Sequence, residues 1–527
     1  MLKKQLPVFV FFTLQMMTIQ AQQAWNLSLF GQVNRGDARY SGSWAYIDST
    51  GKEYALIGAK TGTAAYCIDS PDSLDELGFV PGPVTNWREI TTIGHFAYVV
   101  TDVQGTGHGM QVIDLEYLPD SLHLVTTYNA TFTTGHIIQK AIDSDEPIVY
   151  VMGTTTTQGV HILDVSDPAQ PVEIGVYAPG YYIHDSHIRG NLLFGAAFYK
   201  KELDIVDISD KTNPTLIGKV TYSGTNTHSS SSTEDGKYLL IADEADGYPA
   251  RIFNIEDIGN PVEVAQYSAN EESLVHNPYI KGDLCFLSHN TEGIRVLDIA
   301  DPTLPVEVGY YDTWNGPSGG FHGLWSACPY FPSGKIIGGN RTDGLYIWAF
   351  NGTRAARFYG AVTDSLSGTP LAGAQVVLTA ISDTLALTSQ GHFKKGLLPG
   401  SYTIEVWNEG YLPKVVELPL AQGDSLWLDI QLVPEDFTAT STLPNKLPEL
   451  IVYPNPITNE AFIDLSQLPA VSTLSLYDSS GKHMQTIATR SRWQITFKKN
   501  SIPPGVYYFE ATGKGGAAVA SAAVIIR

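Results

Sequence analysis

Residues 159–175 read GVHILDVSDPAQPVEIG, and residues 293–309 read GIRVLDIADPTLPVEVG. Each stretch has an apolar run that ends in Asp, an Asp-Pro turn, and a second run that begins after another proline. Aspartate accepts backbone N–H bonds and proline fixes φ, so the chain reverses sharply between the two runs. The motif therefore predicts two adjacent antiparallel strands, and its recurrence indicates a repeat architecture.

Weaker copies of this motif extend over residues 26–350. Consecutive copies lie 43 to 51 residues apart and are centred on Asp69, Asp114, Asp164, Asp207, Asn254, Asp298 and Ala349. Copies of this length, each with about four strand signals, predict an all-β fold, a seven-bladed β-propeller. The last copy lacks a fourth strand, and residues 25–31 (WNLSLFG) have the pattern of one. We therefore expect the amino-terminal segment to close the ring, which leaves no open sheet edge.

The repeats also resemble a known family. The relevant stretches are VHILDVSDPAQPVEIGVY (160–177), LDIVDISDKTNPTLIG (203–218), THSSSSTEDGKYLLIADE (227–244) and HGLWSACPYFPSGKIIGGNRTDGLYIW (322–348). They resemble the LVIVD repeat, and the whole segment resembles the choice-of-anchor B family of secreted bacterial proteins. That family's name refers to variable carboxy-terminal anchoring signals on a common domain. The resemblance implies no established activity.

Two small β-sandwich domains are predicted after the propeller. Residues 356–434 contain apolar alternation between glycine turns, as in FYGAVTD (358–364) and LPGSYTIEV (398–406). This unit resembles the carboxypeptidase regulatory-like domain, which carries no catalytic residues and implies a spacer or stabiliser. A linker rich in Thr, Ser and Pro, residues 435–448, follows it.

Residues 449–527 carry three motifs in order: YPNP (453–456), YDSSGK (477–482) and PPGVYY (503–508). Their turns and alternating strands predict the second sandwich. The unit resembles the C-terminal sorting domain of the type IX secretion system. The resemblance implies a Bacteroidota-type cell, the type IX machinery as a partner, and a cargo that is released or attached at the outer surface.

The amino terminus is consistent with export. Lys3 and Lys4 precede an apolar run, and Ala21 offers a small residue for cleavage, so residues 1–21 are predicted to be a signal peptide and residues 22–353 the propeller. No later segment is apolar enough to span a bilayer. The formal net charge of −22 argues against a nucleic-acid partner. We expect a protein that passes through the periplasm and is secreted or held at the cell surface.

Few residues point to chemistry. The sequence contains no HExxH, GxSxG or Walker-type loop. The acidic stretch 243–247 (DEADG) does not fit a calcium-loop spacing and is interpreted as a solvated loop. Three cysteines, Cys67, Cys285 and Cys328, allow one disulfide, and their pairing is left open.

Histidines recur at one phase of the repeat, just before the first strand of a copy. They lie 44 to 48 residues apart, at His136, His184, His228, His276 and His322, and Arg88 and roughly Trp44 take this place in the first two copies. First strands line the channel of a propeller, so we predict a ligand-binding ring of these histidines and Arg88. Imidazoles bind transition metals, and neighbouring blades are close enough to share an ion. A divalent transition metal is therefore predicted at His184, His228 and His276.

Two interpretations of the ring remain open at this stage. The histidines could be copies left by duplication that bond neighbouring blades, or they could bind a ligand. The favoured function is a non-enzymatic surface protein whose propeller binds a protein or a glycan. The alternatives are a metal-dependent enzyme centred on the ring and a purely structural surface-layer component. Asp185 and Glu89 adjoin the ring in sequence, and His95, His187 and His289 are off phase and interpreted as structural.

Overall fold

The computed structural model describes residues 23–105, 108–435, 448–468, 471–489, 493–514 and 516–527. Within these ranges the chain is all β apart from two short 3₁₀ turns, at Phe198–Lys200 and Thr379–Ile381. It divides into two compact units between Pro434 and Glu435. The predicted signal peptide, 1–21, and the predicted linker, 435–448 apart from its two end residues, lie outside the described residues.

The first unit begins with β1 (Ala24–Trp25) and β2 (Leu27–Val33), followed by five four-stranded antiparallel blades. In each blade the strands pair in chain order. The blades are β3–β6 (Tyr40–Ile47, Glu53–Ala59, Gly62–Cys67, Glu76–Pro81), β7–β10 (Arg88–Ile93, Phe96–Thr101, Met110–Asp114, His123–Tyr128), β11–β14 (Ile137–Gln139, Ile148–Met152, Val160–Asp164, Val172–Tyr177), β15–β18 (Ser186–Arg189, Leu192–Ala197, Glu202–Asp207, Thr215–Thr221) and β19–β22 (Thr227–Ser232, Tyr238–Asp243, Ala250–Asn254, Val262–Tyr267).

The last two blades incorporate the amino terminus. The sixth contains β23–β26 (Asn277–Lys281, Leu284–Ser288, Ile294–Asp298, Val306–Tyr311), and β1 pairs with β26. The seventh contains β27 (Lys335–Asn340) and β28 (Gly344–Phe350), and β2 runs antiparallel to β28 from Leu27 opposite Phe350 to Val33 opposite Leu345. Residues 324–328 take the inner place through bridges to Asn340 and Ile337. The seven-bladed fold and its closure by the amino-terminal segment are confirmed.

The third strand of four blades ends in an aspartate, and this aspartate has a local role. Asp164 Oδ1 accepts the backbone N–H of Ser166 at 2.8 Å, and Asp207 accepts that of Ser209 at the same distance. This side-chain turn satisfies a backbone donor where the chain leaves the sheet. In the predicted Asp-Pro turns, Asp167 accepts the Ala169 N–H at 3.0 Å and Asp301 accepts the Thr303 N–H at 2.9 Å, so the predicted turn chemistry is present in these two blades.

The first unit also contains a seven-stranded sandwich. Its strands are β29 (Ala356–Asp364), β30 (Gln375–Leu378), β31 (Asp383–Leu385), β32 (His392–Leu397), β33 (Gly400–Trp407), β34 (Lys414–Leu420) and β35 (Ser425–Leu432). They form the sheets β32-β29-β35 and β31-β30-β33-β34. Phe358, Val376 and Ile404 are fully buried between them. Arg354 and Arg357 at the start of this sandwich bind Asp298 of the sixth blade, at 2.6 and 2.8 Å.

The second unit is another sandwich of two sheets. Its strands are β36 (Ile451–Tyr453), β37 (Glu460–Asp464), β38 (Val471–Asp478), β39 (His483–Ala488), β40 (Gln494–Lys498), β41 (Gly505–Gly513) and β42 (Ala518–Ile526). They form the sheets β36-β37-β40 and β39-β38-β41-β42. Ile463, Leu476 and Phe509 are fully buried in its core. Alternate residues of β42 are buried, as the period of a half-buried strand requires.

Two further observations concern the whole described chain. Cys67, Cys285 and Cys328 are all free thiols. In the described part of the chain, no helix has the length and apolar character needed to cross a membrane.

Candidate functional site

Four of the five predicted histidines lie side by side around the propeller channel. Ring centroids are 4.5 Å apart between His136 and His184, 4.3 Å between His184 and His228, and 4.2 Å between His228 and His276. The next place is occupied by Trp325, whose ring lies 4.1 Å from His276. The structure thus brings together histidines from four successive blades, as the repeat phase predicts.

The structure corrects the placement of the fifth histidine. His322 is exposed and stacks on Trp314, with ring centroids 4.5 Å apart and planes 10° apart. Trp325, which is 49 residues beyond His276, fills the equivalent position. Because the intervals between the preceding histidines range from 44 to 48 residues, spacing alone did not distinguish Trp325 from His322, which lies three residues earlier.

Arg88 lies at the expected phase but uses its side chain for packing. Its guanidinium is fully buried and donates from Nη2 to the Pro83 carbonyl at 2.6 Å and from Nε to the Ala59 carbonyl at 3.1 Å. These bonds hold Arg88 between the first two blades. The structure therefore does not place its charge among the imidazoles, and Arg88 is corrected from a candidate ligand residue to a structural one.

The imidazole nitrogens are the chemically informative atoms of this cluster. His228 Nδ1 is 3.2 Å from the carbonyl oxygen of His276, and since a carbonyl only accepts, Nδ1 carries the proton and Nε2 has a free lone pair. Among the described residues no hydrogen-bond partner faces His184 Nδ1, His228 Nε2 or His276 Nε2. Burial, reinforced by the neighbouring imidazoles, lowers the pKa of His184 and of His228 well below the usual value. Both rings are therefore neutral near pH 7, the form that binds metals.

A carboxylate that the sequence did not suggest completes the cluster. Glu244 Oε1 lies 3.7 Å from His228 Nε2 and 3.6 Å from His276 Nε2. One ligand atom each from His184, His228 and Glu244 fall within 4.8 Å of one another. We call His184, His228, His276 and Glu244 the channel site. The compact three-residue group contains Glu244, whereas the sequence predicted His276 in that place.

The position of Glu244 has a simple structural cause. It directly follows β20, which pairs with the strand that carries His228, and its backbone N–H donates to the carbonyl of Asn226 at 3.0 Å. The end of one strand and the start of its antiparallel neighbour lie at the same edge of a sheet. The interpretation of residues 243–247 as a solvated loop was therefore wrong for Glu244, whose side chain is only 15% exposed.

The channel site contains side chains of the kinds that bind transition metals. Ligand atoms at about 2.0–2.1 Å from a tetrahedral zinc ion lie about 3.3 Å from one another. The ligand atoms of His184, His228 and Glu244 lie within 4.8 Å of one another, so these side chains would have to move closer together to surround an ion. Two imidazoles and one carboxylate also leave a coordination position open for a ligand or a water molecule.

A cavity of about 50 Å³ lies elsewhere in the channel, lined by first-strand residues that include Trp44, Glu89 and Asp185. Trp325 Nε1 donates to Glu89 Oε1 at 3.0 Å. Burial raises the pKa of Glu89 to about 8 and that of Asp185 to about 7. The two acids that adjoin the histidines in sequence therefore face the channel interior as carboxyls that hold their protons at unusually high pH.

The off-phase histidines have other surroundings. His187 Nε2 is 2.9 Å from Ser232 Oγ, and His289 Nε2 accepts the backbone N–H of Ala269 at 3.2 Å. His95 is partly exposed, 3.9 Å from both Asp114 and Glu116. None of these three imidazoles faces the channel site.

Comparison with known families identifies three parts of the chain. Residues 155–178, 187–222 and 279–313 match the LVIVD repeat, and residues 357–433 match the carboxypeptidase regulatory-like domain. Residues 451–527 match the secretion system C-terminal sorting domain. No curated protein matches the chain. The sorting domain implies interaction with the type IX secretion machinery and export to the cell surface or the extracellular space.

Proposed function

We propose that the exported propeller is a non-enzymatic binding module whose ligand engages the channel site. The observation that carries this proposal is the set of three buried imidazole nitrogens, on His184, His228 and His276, that have no hydrogen-bond partner among the described residues. A buried polar atom left unpaired costs about 1–3 kcal/mol. Histidines retained only to join the blades would pair these nitrogens, as His228 pairs its other nitrogen with the His276 carbonyl.

The ligand chemistry that best fits these atoms is a divalent transition metal with an open coordination position. Neutral imidazoles and a carboxylate are its usual protein donors. A donor group from an extracellular protein or glycan would then complete the coordination, so that the metal links propeller and partner. The attachment of the following sandwich through Asp298 supports a rigid presenting surface rather than a loosely tethered one.

Metal titration of the metal-stripped mature chain tests the proposal. We expect calorimetry with zinc and cobalt to show about one ion per chain, and His228→Ala and Glu244→Gln to weaken binding at least tenfold. His322→Ala is the matched control, because His322 is exposed and stacks on Trp314 away from the cluster. Equal affinity in the His228→Ala variant, or no binding by the unaltered chain, would contradict the proposal.

A metal-dependent enzyme is the second candidate, and the Glu244 carboxylate favours it. Two histidines, one carboxylate and an open position are the ligand set of several hydrolytic zinc sites. The enzyme would turn over a substrate, whereas the binding module would bind its ligand without converting it. Chelator-sensitive hydrolysis of chromogenic ester or phosphoester substrates by the metal-loaded chain, lost in Glu244→Gln, would support the enzyme. Metal binding without turnover supports the binding module.

A further inference from the structure

Arg341 is a buried arginine with unused hydrogen-bond donors. It directly follows β27 and is 5% exposed. Its guanidinium carbon lies 4.5 Å from the ring centroid of Trp325 and 5.1 Å from that of Trp87. In the described part of the chain, neither Nε nor Nη1 has a hydrogen-bond partner. The two indoles hold the guanidinium in place while part of its N–H edge stays unpaired.

Arg88 and Arg357 are also buried, and each has a carbonyl or carboxylate partner that Arg341 lacks, although Arg357 Nε is unpaired as well. Arg88 donates to the carbonyls of Ala59 and Pro83, and Arg357 forms an ion pair with Asp298 at 2.8 Å. A buried charge without partners is costly, and attraction to an aromatic face returns only about 0.5–2 kcal/mol. Nε–H and Nη1–H point to different sides of the guanidinium, so a contact with an oxyanion through two parallel hydrogen bonds would use Nη1 together with Nη2.

The charges around Arg341 do not satisfy that edge. Burial, and then the neighbouring charge of Arg39, lowers the pKa of Arg341 to about 10, so it is still a cation near pH 7. Glu89 is the carboxyl bonded to Trp325, and burial raises its pKa to about 8. Glu89 and Glu244 favour the charged guanidinium through their own charges, but neither accepts a hydrogen bond from Arg341 Nε or Nη1.

Arg341 and the channel site both contact the ring of Trp325. The Trp325 ring contacts His276 on one side, with centroids 4.1 Å apart, and the Arg341 guanidinium on another. The carboxylate of Glu244 is also close enough to influence the charge of Arg341. A ligand seated against Trp325 could therefore reach both the imidazole cluster and the unpaired guanidinium edge.

We propose that Arg341 is the anion-binding residue of this region, and that the ligand carries a carboxylate group that the guanidinium binds beside the Trp87 and Trp325 indoles, whose rings meet edge to face. The planar fork of arginine matches a carboxylate in two parallel hydrogen bonds. The indoles add flat apolar surface for the body of the ligand, such as an acidic sugar or an acidic side chain. This inference deepens the proposed function by naming the ligand class, and it does not require the metal.

Paired probes with and without a carboxylate test the inference on the mature chain in the presence of a chelator. We expect glucuronate to bind saturably and to change tryptophan fluorescence, while glucose at the same concentration does not. Arg341→Gln should weaken glucuronate binding at least tenfold. Arg35→Gln is the matched control, because Arg35 is already paired with Asp37 and Glu76 on the surface and its loss should leave binding unchanged.

Melting temperatures provide a second measurement that does not depend on the chosen probe. If Arg341 is unpaired in the ligand-free protein, the Arg341→Met variant should melt at the same temperature as the unaltered chain or at a higher one, both measured without ligand. The reason is that the substitution removes an unpaired buried charge. A structural guanidinium would instead make Arg341→Met melt several degrees lower. That result, or equal binding of glucuronate and glucose, would overturn the inference.

The proposed function and this inference can fail separately. His228→Ala should lose metal and keep glucuronate binding, whereas Arg341→Gln should keep metal and lose glucuronate. Inorganic phosphate and sulfate are tested as competing ligands. If either anion binds more tightly than every carboxylate probe, the ligand is an inorganic oxyanion and the carboxylate assignment is wrong. Loss of metal binding in every variant and in the unaltered chain would reject only the proposed metal site.

Discussion

Glu89 shows at the scale of one residue how the channel interior holds an acid. Its carboxyl accepts the Trp325 indole N–H at 3.0 Å. Gly42 leaves room for it, since a Cβ at position 42 would lie 2.3 Å from Glu89 Oε2. Burial, with a smaller contribution from the charge of Asp185, raises the pKa of Glu89 from the usual 4.5 to about 8, although the indole bond and Arg341 oppose the shift. Folding therefore favours the protonated form.

The pH dependence of stability follows from that shift. An acid with a raised folded-state pKa binds its proton more tightly in the native protein, so stability declines as pH rises from about 4.5 to about 8. Glu89→Gln keeps an acceptor for Trp325 and cannot ionise. We expect the variant to be more stable than the unaltered chain at pH 9, by on the order of 3 kcal/mol, and nearly equal at pH 5.

Urea denaturation at both pH values measures this difference. Asp185, whose pKa is also raised by burial, stays in place in the variant, so part of the decline between pH 4 and pH 7 should remain. Tyr279, which also lines the cavity, stays neutral at pH 9 because burial raises its pKa well above the usual value. Identical pH profiles for the two chains would show that the Glu89 carboxyl is solvated.

At the scale of elements, Asp298 in the sixth blade makes contacts beyond the turn bond that its equivalents make in other blades. Asp298 accepts the Ala300 N–H at 3.0 Å, like its equivalents in other blades. It also binds Arg354 and Arg357, which begin the following sandwich, and is 1% exposed. Removal of one partner from a buried ion pair costs about 3–5 kcal/mol, because the other charge is left unpaired.

Substitution at two equivalent positions separates the two tasks. We expect Asp298→Ala to lower the free energy of unfolding by about 3–5 kcal/mol and to expose the junction near Arg354 to trypsin. Asp164→Ala removes only the turn bond to Ser166 and should cost about 1 kcal/mol. Similar losses of unfolding free energy in both variants would contradict the conclusion that Asp298 joins the propeller to the sandwich.

The closing strand, β2, packs one of its two faces against the core of the propeller. Leu27 is 5% exposed and packs in the core that contains Val296 and Trp348, whereas Leu29 on the same strand is 42% exposed. We expect Leu27→Ala to cost about 2–4 kcal/mol and Leu29→Ala well under 1 kcal/mol, measured by urea denaturation. Deletion of residues 25–31 should be more severe than either, because it opens the seventh blade. A deletion variant that melts like the intact chain would refute closure by this strand.

At the scale of the whole molecule, export and folding depend on different units. The carboxy-terminal unit has its own two sheets and a buried core of its own. We expect a chain that ends at Glu435 to keep a cooperative melting transition of its own and to accumulate inside the cell envelope. Surface proteolysis and immunoblotting of the medium measure its location. Normal amounts at the surface would contradict export through the matched sorting domain.

The sequence was sufficient for features that rest on repetition and local chemistry. The period of the motif predicted seven blades, the missing fourth strand in the last copy predicted β2, and the Asp-Pro turns predicted the reversals. It also placed His136, His184, His228 and His276 in one ring, because equivalent repeat positions are related by the pseudo-rotation of the propeller. These properties follow from neighbours in the chain and from symmetry.

Other features were decided only by the tertiary structure. The sequence suggested His322 where Trp325 stands, because the interval between equivalent positions varies from blade to blade and His322 is the histidine nearest the expected place. Glu244 was overlooked, since its proximity to His228 arises from pairing between two strands and not from spacing. Arg88 and Arg341 illustrate the same limit, since both are buried arginines beside the channel. Arg88 donates to two carbonyls, whereas Arg341 lies against two indoles and keeps two N–H donors without a partner. Sequence patterns determine which residues recur, whereas the three-dimensional packing determines which atoms are left without a partner.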